Sequence, residues 1–410
     1  MLSIVAYAAA TASVPTATLP WHLTSAVSTI SALEKTSIGR EPPYSLLDVM
    51  YDDSTGLCSE GVWHNSWLGV SRVLSARVLR AAGDSAQADE LMTSAFTLGD
   101  SLHKMSFDGG GFKRRASSGI WQRADDELSK SFFDAAGEDL AFYLPSDEHR
   151  CASSAAACIF FSLLAEESGD DDPFQRQRSI EVFDCMTKEF FDTSTCRFKR
   201  DASGETTYWR AVDQAVGCLA CLRLAKSGHQ VASCRAMASC AADSLLREFG
   251  YSLYATEGCP PGTYLGRAAP RNSWHDSLSC LALLAAGVLG VGGESPAGLV
   301  RAMVESYRDE ESGAILHRPK ELRRRDASES GEEVAFTSTQ ALWSAVVRAA
   351  DLKKGLEVDE PALRAWYEKQ RQEESNLLPV ANVYQDARLW ANTEWAAWVL
   401  LGREVFAVTE

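Results

Sequence analysis

Aromatic, ionisable and amide side chains crowd into five short stretches of this 410-residue chain. They read Trp63-His64-Asn65 with Trp67; Glu148-His149-Arg150; Trp209-Arg210 with Asp213; Arg271-Asn272-Ser273-Trp274-His275-Asp276; and Asp386, Arg388 and Trp390 followed by Glu394 and Trp395. Carboxylates and imidazoles move protons, and histidine does so near neutral pH. An indole offers a flat apolar face, while Asp, Asn, Arg and His offer planar hydrogen-bonding groups. That combination suits a ligand with a C–H face and a ring of hydroxyls, as a sugar has.

Each residue also has a structural use. Asp147, Asn272 and Thr337 stand where helix N-caps stand. Arg210 and Asp213 have the spacing of an ion pair within one helix turn. Any one tryptophan can simply fill a core. Other chemistries lack their patterns: no His-Glu-x-x-His set for zinc and no Gly-x-Ser-x-Gly nucleophile occurs. Gly109-Gly110-Gly111-Phe112 lacks the Lys-Ser/Thr of a phosphate loop and reads as a turn. Cys218 and Cys221 form a CxxC inside an apolar helix and read as buried thiols. No metal and no cofactor is expected.

A repeat must position these groups. A polar pair opens an apolar stretch six times, at Asn65-Ser66, Ser153-Ser154, Asp213-Gln214, His275-Asp276, Thr339-Gln340 and Thr393-Glu394. The spacing is about sixty residues after a longer first gap, as in stacked helical hairpins. Inner helices are predicted at roughly 62–80, 149–166, 210–226, 272–289, 336–350 and 386–401. Amphipathic outer helices fall near 22–37, 86–105, 174–190, 231–248, 296–307 and 360–372. A second repeat lies between them: Tyr51-Asp52-Asp53-Ser54-Thr55-Gly56, Phe191-Asp192-Thr193-Ser194-Thr195-Cys196 and Tyr307-Arg308-Asp309-Glu310-Glu311-Ser312-Gly313. Asp with Gly a few residues on is turn chemistry, so these connections read as small β-hairpins on one rim. The second ends in Cys where the others end in Gly.

With these turns, and helix starts such as Trp209-Arg210-Ala211-Val212-Asp213-Gln214, the chain resembles the six-hairpin (α/α)6-toroid proteins of carbohydrate chemistry. These include glycoside hydrolases and N-acylglucosamine 2-epimerase-like enzymes. The resemblance implies an all-α fold of six helical hairpins with short β-hairpin connections, and a sugar-binding funnel at one rim. The favoured expectation is glycoside or oligosaccharide hydrolysis by paired carboxylates, Asp213 and Glu394. His275, Asp276 and Arg271 would position or polarise the substrate. Trp63, His64, Asn65, Trp67, Glu148, His149, Trp209, Arg210, Asn272, Trp274, Asp386, Arg388, Trp390 and Trp395 would line the funnel. The alternatives are a sugar 2-epimerase or isomerase using His275, and a non-catalytic toroid that binds a glycan or protein. Epimerase-like enzymes use two inner-helix histidines, and here the last repeat offers Glu394 and Asp386 in place of the second. His149 or His64 could substitute.

Composition sets outer limits. The net charge of −16 and pI of about 5.0 disfavour nucleic acid and anionic membrane surfaces. Mean hydropathy of −0.16 is that of a soluble globular protein. Eleven cysteines, several inside helices, suit a reducing compartment better than a disulfide scaffold. Residues 1–20 read as a targeting or disordered segment and 21–410 as one toroid domain. The expected partner is a small saccharide, and the oligomeric state is left open.

Overall fold

A computed structural model describes residues 20–36, 50–52, 57–104, 113–116, 146–169, 173–200, 209–248, 264–265, 272–287, 305–310, 313–316, 337–349, 360–370 and 395–406. Residues 1–19 and 107–112 therefore lie outside the described residues. Helix α1 (Trp21–Thr36) leads to strands β1 (Met50–Asp52) and β2 (Leu57–Gly61), then to α2 (Val62–Ala82) and α3 (Ser85–Lys104). Strands β3 (Lys113–Ala116) and β4 (Ser146–His149) precede α4 (Cys151–Ser168) and α5 (Pro173–Phe190). The hairpin β5 (Phe191–Asp192) and β6 (Arg197–Phe198) is followed by β7 (Trp209–Arg210), α6 (Ala211–Lys226) and α7 (Val231–Arg247). Next come β8 (Tyr264–Leu265), α8 (Ser273–Ala286), α9 (Thr337–Ala349), α10 (Glu360–Gln370) and α11 (Arg403–Phe406).

The inner helices pack side by side in the order α2, α4, α6, α8, α9. The outer helices α3, α5 and α7 each lie on the inner helix before them, and α1 lies on α2. Sequence dictates this division. Helix α4 is buried from Ser153 to Leu164 and so offers no face to water. Helix α7 buries only Cys234, Ala238, Ala241, Ala242, Ser244, Leu245 and Leu246, which is one stripe. Close approach uses glycine: a Cβ on Gly69 would meet the Phe160 ring at 2.3 Å, and one on Gly217 the Phe198 ring at 2.5 Å. The ring also closes. Trp21 and Thr29 of α1 reach Tyr367 of α10, with Thr29 Oγ1 3.4 Å from the Tyr367 hydroxyl. Residues 395–398, helical in the sixth repeat, join both α10 and α2 through their indoles. The fold is an all-α (α/α)6 toroid with short antiparallel strands.

The turn repeats form hairpins as their composition predicts: β1 pairs with β2, β5 with β6, and Arg308 bridges Ile315. Two of the polar pairs then prove to hold these hairpins. Gln214 Nε2 donates to the Phe198 carbonyl at 2.7 Å, and its Oε1 accepts from the Phe198 N–H at 2.9 Å. Gln340 braces Ile315 in the same way, at 2.6 and 3.0 Å. Each glutamine satisfies both backbone groups of a buried hairpin residue, a requirement of burial rather than of chemistry. The first hairpin extends into a four-stranded sheet ordered β1-β2-β3-β4. His149 thus ends a strand, opposite Lys113, instead of opening the second inner helix.

The two ends of the ring differ. Inner helices begin at the hairpin rim and finish at an ionic one. There Arg223, buried in the last turn of α6, binds Ser162, Glu166 and, at 3.1 Å, the Val405 carbonyl. Arg77 spans Glu166 and Glu167 at 2.8 and 2.6 Å. Arg223 thereby ties α11 to α4 and α6 at this end.

Candidate functional site

Each inner helix presents its first turn at the hairpin rim, and α8 shows how the local sequence arranges it. Asn272 is the N-cap, extended at φ −142° and ψ 150°, and its Oδ1 accepts from the His275 N–H at 2.9 Å. That bond fixes the amide orientation, so Nδ2 faces His275 Nδ1 at 2.8 Å. An amide NH2 can only donate, hence Nδ1 accepts and the neutral ring carries its proton on Nε2. Trp274 stands edge-on to the imidazole, with centroids 5.0 Å apart.

Trp274 belongs to a closed circuit of four indoles. Trp63 meets Trp67, Trp67 meets Trp398, Trp398 meets Trp274 and Trp274 meets Trp63, at centroid distances of 5.4, 5.7, 5.7 and 6.2 Å. The circuit joins the first and sixth inner helices, neighbours where the ring closes, to the fourth, which lies opposite the first. Trp67 and Trp398 are wholly buried, while Trp63 and Trp274 remain partly exposed. The lumen therefore has an indole floor, with Trp63, Trp274 and half-buried His275 at its open edge. His64 and Asn65 are buried in the first turn of α2 beside this floor.

The carboxylates are engaged elsewhere. Asp213 is fully buried and receives both Arg210 Nε and a terminal nitrogen at 2.6 Å. Arg210 is the N-cap of α6 and pairs through β7 with β8. Asp276 is buried and accepts a hydrogen bond from the Tyr307 hydroxyl. Trp209 carries the Arg197 guanidinium 5.3 Å from its ring, and Arg197 also binds Glu248. Burial, with the nearby Asp213 charge, pushes the Cys151 thiol well above the usual range, so it is held as a neutral thiol.

The sequence-predicted residues thus separate. Trp63, Trp67, Trp274 and His275 converge with Asn272. Trp209, Arg210 and Asp213 form a second group on α6. Trp395 is wholly buried and stacks on Tyr367 and Trp366 of α10 at 4.9 and 5.9 Å, so it packs inner helix to outer helix instead of lining the lumen. Glu148 and His149 lie on strand β4. Arg271, Asp386, Arg388, Trp390 and Glu394 lie outside the described residues. Trp398 is the residue that sequence reasoning missed. The Trp395-Ala396-Ala397-Trp398 spacing was legible, but it does not say which indole turns inward. Among the described residues no three His, Cys, Asp or Glu side chains gather in a metal-binding group, and no helix is long and apolar enough to cross a membrane.

No protein-family model matches the chain, and no curated protein matches it in sequence. Solved structures do match its shape. A D-mannose isomerase is 11% identical with a TM-score of 0.61, over 95% of this chain and 99% of its own. A cellobiose 2-epimerase from Bacillus thermoamylovorans is 10% identical with a TM-score of 0.60, over 92% and 99%. A glycoside hydrolase family 76 mannosidase from Bacteroides thetaiotaomicron is 11% identical with a TM-score of 0.57, over 93% and 99%. These likenesses establish the six-hairpin toroid fold along nearly the whole chain. At such identities they carry no residue's role with them.

Proposed function

We propose that this protein is a carbohydrate-active enzyme that moves a proton within a bound sugar, an isomerase or epimerase centred on His275. One observation carries the reading. His275 stands partly open beside an indole floor, whereas Asp213 and Asp276 are buried and bonded to Arg210 and Tyr307. A retaining or inverting glycosidase needs two carboxyl groups free to face the scissile bond. In the proposed reaction the open-chain sugar lies with its C–H face on Trp63 and Trp274. His275 Nε2–H donates to the carbonyl oxygen, while a second group takes the proton from the adjacent carbon. Return of that proton to the other face, or to the neighbouring carbon, completes epimerisation or isomerisation. The groups that the sequence puts forward for the second role are His64, His149 and Glu394. No cofactor is required by this scheme.

The likeness in fold to a mannosidase supports a second reading, hydrolysis, for which the sequence puts forward Asp213 with Glu394. An NMR time course in heavy water, with a panel of mono- and oligosaccharides, separates the two. The proposed reaction replaces a sugar ring proton with deuterium and cleaves nothing, and His275→Asn slows it about 10²- to 10⁴-fold. New reducing-end signals would assign hydrolysis. Line broadening without turnover would reduce the protein to a glycan-binding toroid.

A further inference from the structure

Nine cysteines among the described residues are free thiols, and seven of them are buried. The other two are exposed Cys196 and half-buried Cys240. Cys196 is the last residue of the β5–β6 turn. Its φ of +54° is the left-handed conformation that Gly313 adopts, at +70°, in the matching turn of a later repeat. Glycine adopts it without a Cβ clash, and cysteine does not. A thiol thus stands where the backbone favours glycine.

Opposite this turn, α7 presents Cys240, Ser244 and Glu248 at four-residue intervals along one face. Glu248 accepts from Arg197 Nε at 2.6 Å and from the Ser244 hydroxyl, which clamps the turn on that face. One helical turn before Ser244, Cys240 faces the Cys196 side chain, whose thiol donates to the Thr193 carbonyl. The clamp and the thiol contact are separate interactions between the same two elements. From this geometry we infer that Cys196 and Cys240 form a reversible dithiol–disulfide site that locks the β5–β6 hairpin to α7.

The chemistry is thiol–disulfide exchange with a low-molecular-weight disulfide such as glutathione disulfide as oxidant. The exposed Cys196 thiolate attacks one sulfur, gives a mixed disulfide and releases one thiol. Cys240, deprotonated, then attacks Cys196 Sγ, closes the protein disulfide and expels the second thiol. Burial and the Cys196 thiol hold Cys240 up at about 11, which makes it the resolving thiol and Cys196 the entry point. The next residue, Arg197, lies over Trp209 at the rim. Oxidation would therefore stiffen the rim beside Trp209, at the start of α6.

The test exposes the reduced, folded full-length protein to glutathione disulfide, quenches with acid and N-ethylmaleimide, and maps non-reduced peptides by mass. A peptide pair joined through Cys196 and Cys240, lost on adding dithiothreitol, is the expected product. Cys240→Ser is expected to accumulate glutathione on Cys196 instead, and Cys196→Gly to show neither adduct nor cross-link. Cys196→Gly also suits the turn's φ, so its melting temperature should equal or exceed that of the parent, and misfolding cannot explain its result. A stable glutathione adduct on Cys196 of the parent protein, with no cross-link, would overturn the inference. So would a cross-link pattern unchanged in Cys240→Ser.

Discussion

Replacing Asp213 by asparagine decides whether that carboxylate is structural or catalytic. Asp213 is wholly buried and takes two charge-assisted hydrogen bonds of 2.6 Å from Arg210. Asparagine keeps one acceptor and turns the other oxygen into an NH2 that faces a guanidinium donor. One charge-assisted bond is lost, about 1.5–3 kcal/mol. The Arg210 side chain is 20% exposed, so it can turn toward water and avoid the full penalty of an unpaired buried charge. The expected loss for Asp213→Asn is about 2–3 kcal/mol. Arg210→Met is worse, about 3–5 kcal/mol, because it strands a carboxylate that has no route to solvent. The double variant loses less than the sum, with a coupling of about 2 kcal/mol. Urea denaturation of the four proteins measures each quantity. If Asp213→Asn changed stability by under about 0.5 kcal/mol, and abolished turnover of a proven sugar substrate, the structural argument would fail and the hydrolytic reading would gain its nucleophile or acid.

Two further outcomes follow from the packing. Gln214→Leu strands the buried N–H and carbonyl of Phe198 and should cost about 2–5 kcal/mol; Gln340→Leu should do the same at Ile315, each read from urea midpoints, and a loss below about 0.5 kcal/mol would deny the brace. Burial alone would raise the Glu166 carboxyl, but Arg223 and Arg77 outweigh it and hold it down at about 2, against 4.5 in the unfolded chain. Its contribution to stability is therefore complete above about pH 5 and disappears as pH falls toward 2. Glu166→Gln should be less stable at neutral pH and show a shallower acid decline across that window in pH-dependent melting.

The helices were legible because burial on all sides and burial on one side leave different patterns in sequence. The run Ala215 to Leu224 has no polar face, whereas α7 does, and that contrast assigned inner and outer positions within a few residues among the described residues; most of each helix expected near 296–307 and 386–401 lies outside them. The aromatic-Asp turns were legible for a local reason, since an Asp side chain caps its own turn: Asp192 Oδ1 accepts from both the N–H and the hydroxyl of Ser194. Strands β3, β7 and β8 were not legible. They are two to four residues long, and their partners lie far along the chain. The destination of a polar side chain was also hidden. Gln214 and Asp213 are neighbours of similar polarity, yet one binds a hairpin backbone and the other an arginine.

Register along the repeat explains what the polar pairs do. In α6 and α8 the first member falls at the third helical position and reaches back to the N-cap residue: Asp213 binds Arg210, and His275 binds Asn272. In three repeats the second member turns to the hairpin connections: Gln214 and Gln340 brace the one before their own helix, and Asp276 takes the Tyr307 hydroxyl from the next, whereas Ser66 donates to the Val62 carbonyl within its own helix. Glu394, outside the described residues, occupies the register of Gln214, Asp276 and Gln340 in Thr393-Glu394. At the first positions the repeat carries Asn, Ser, Asp, His and Thr in turn. Among these, histidine alone changes charge near neutral pH. The fourth repeat sets it beside an indole, where Trp63 and Trp274 bring opposite sides of the ring together.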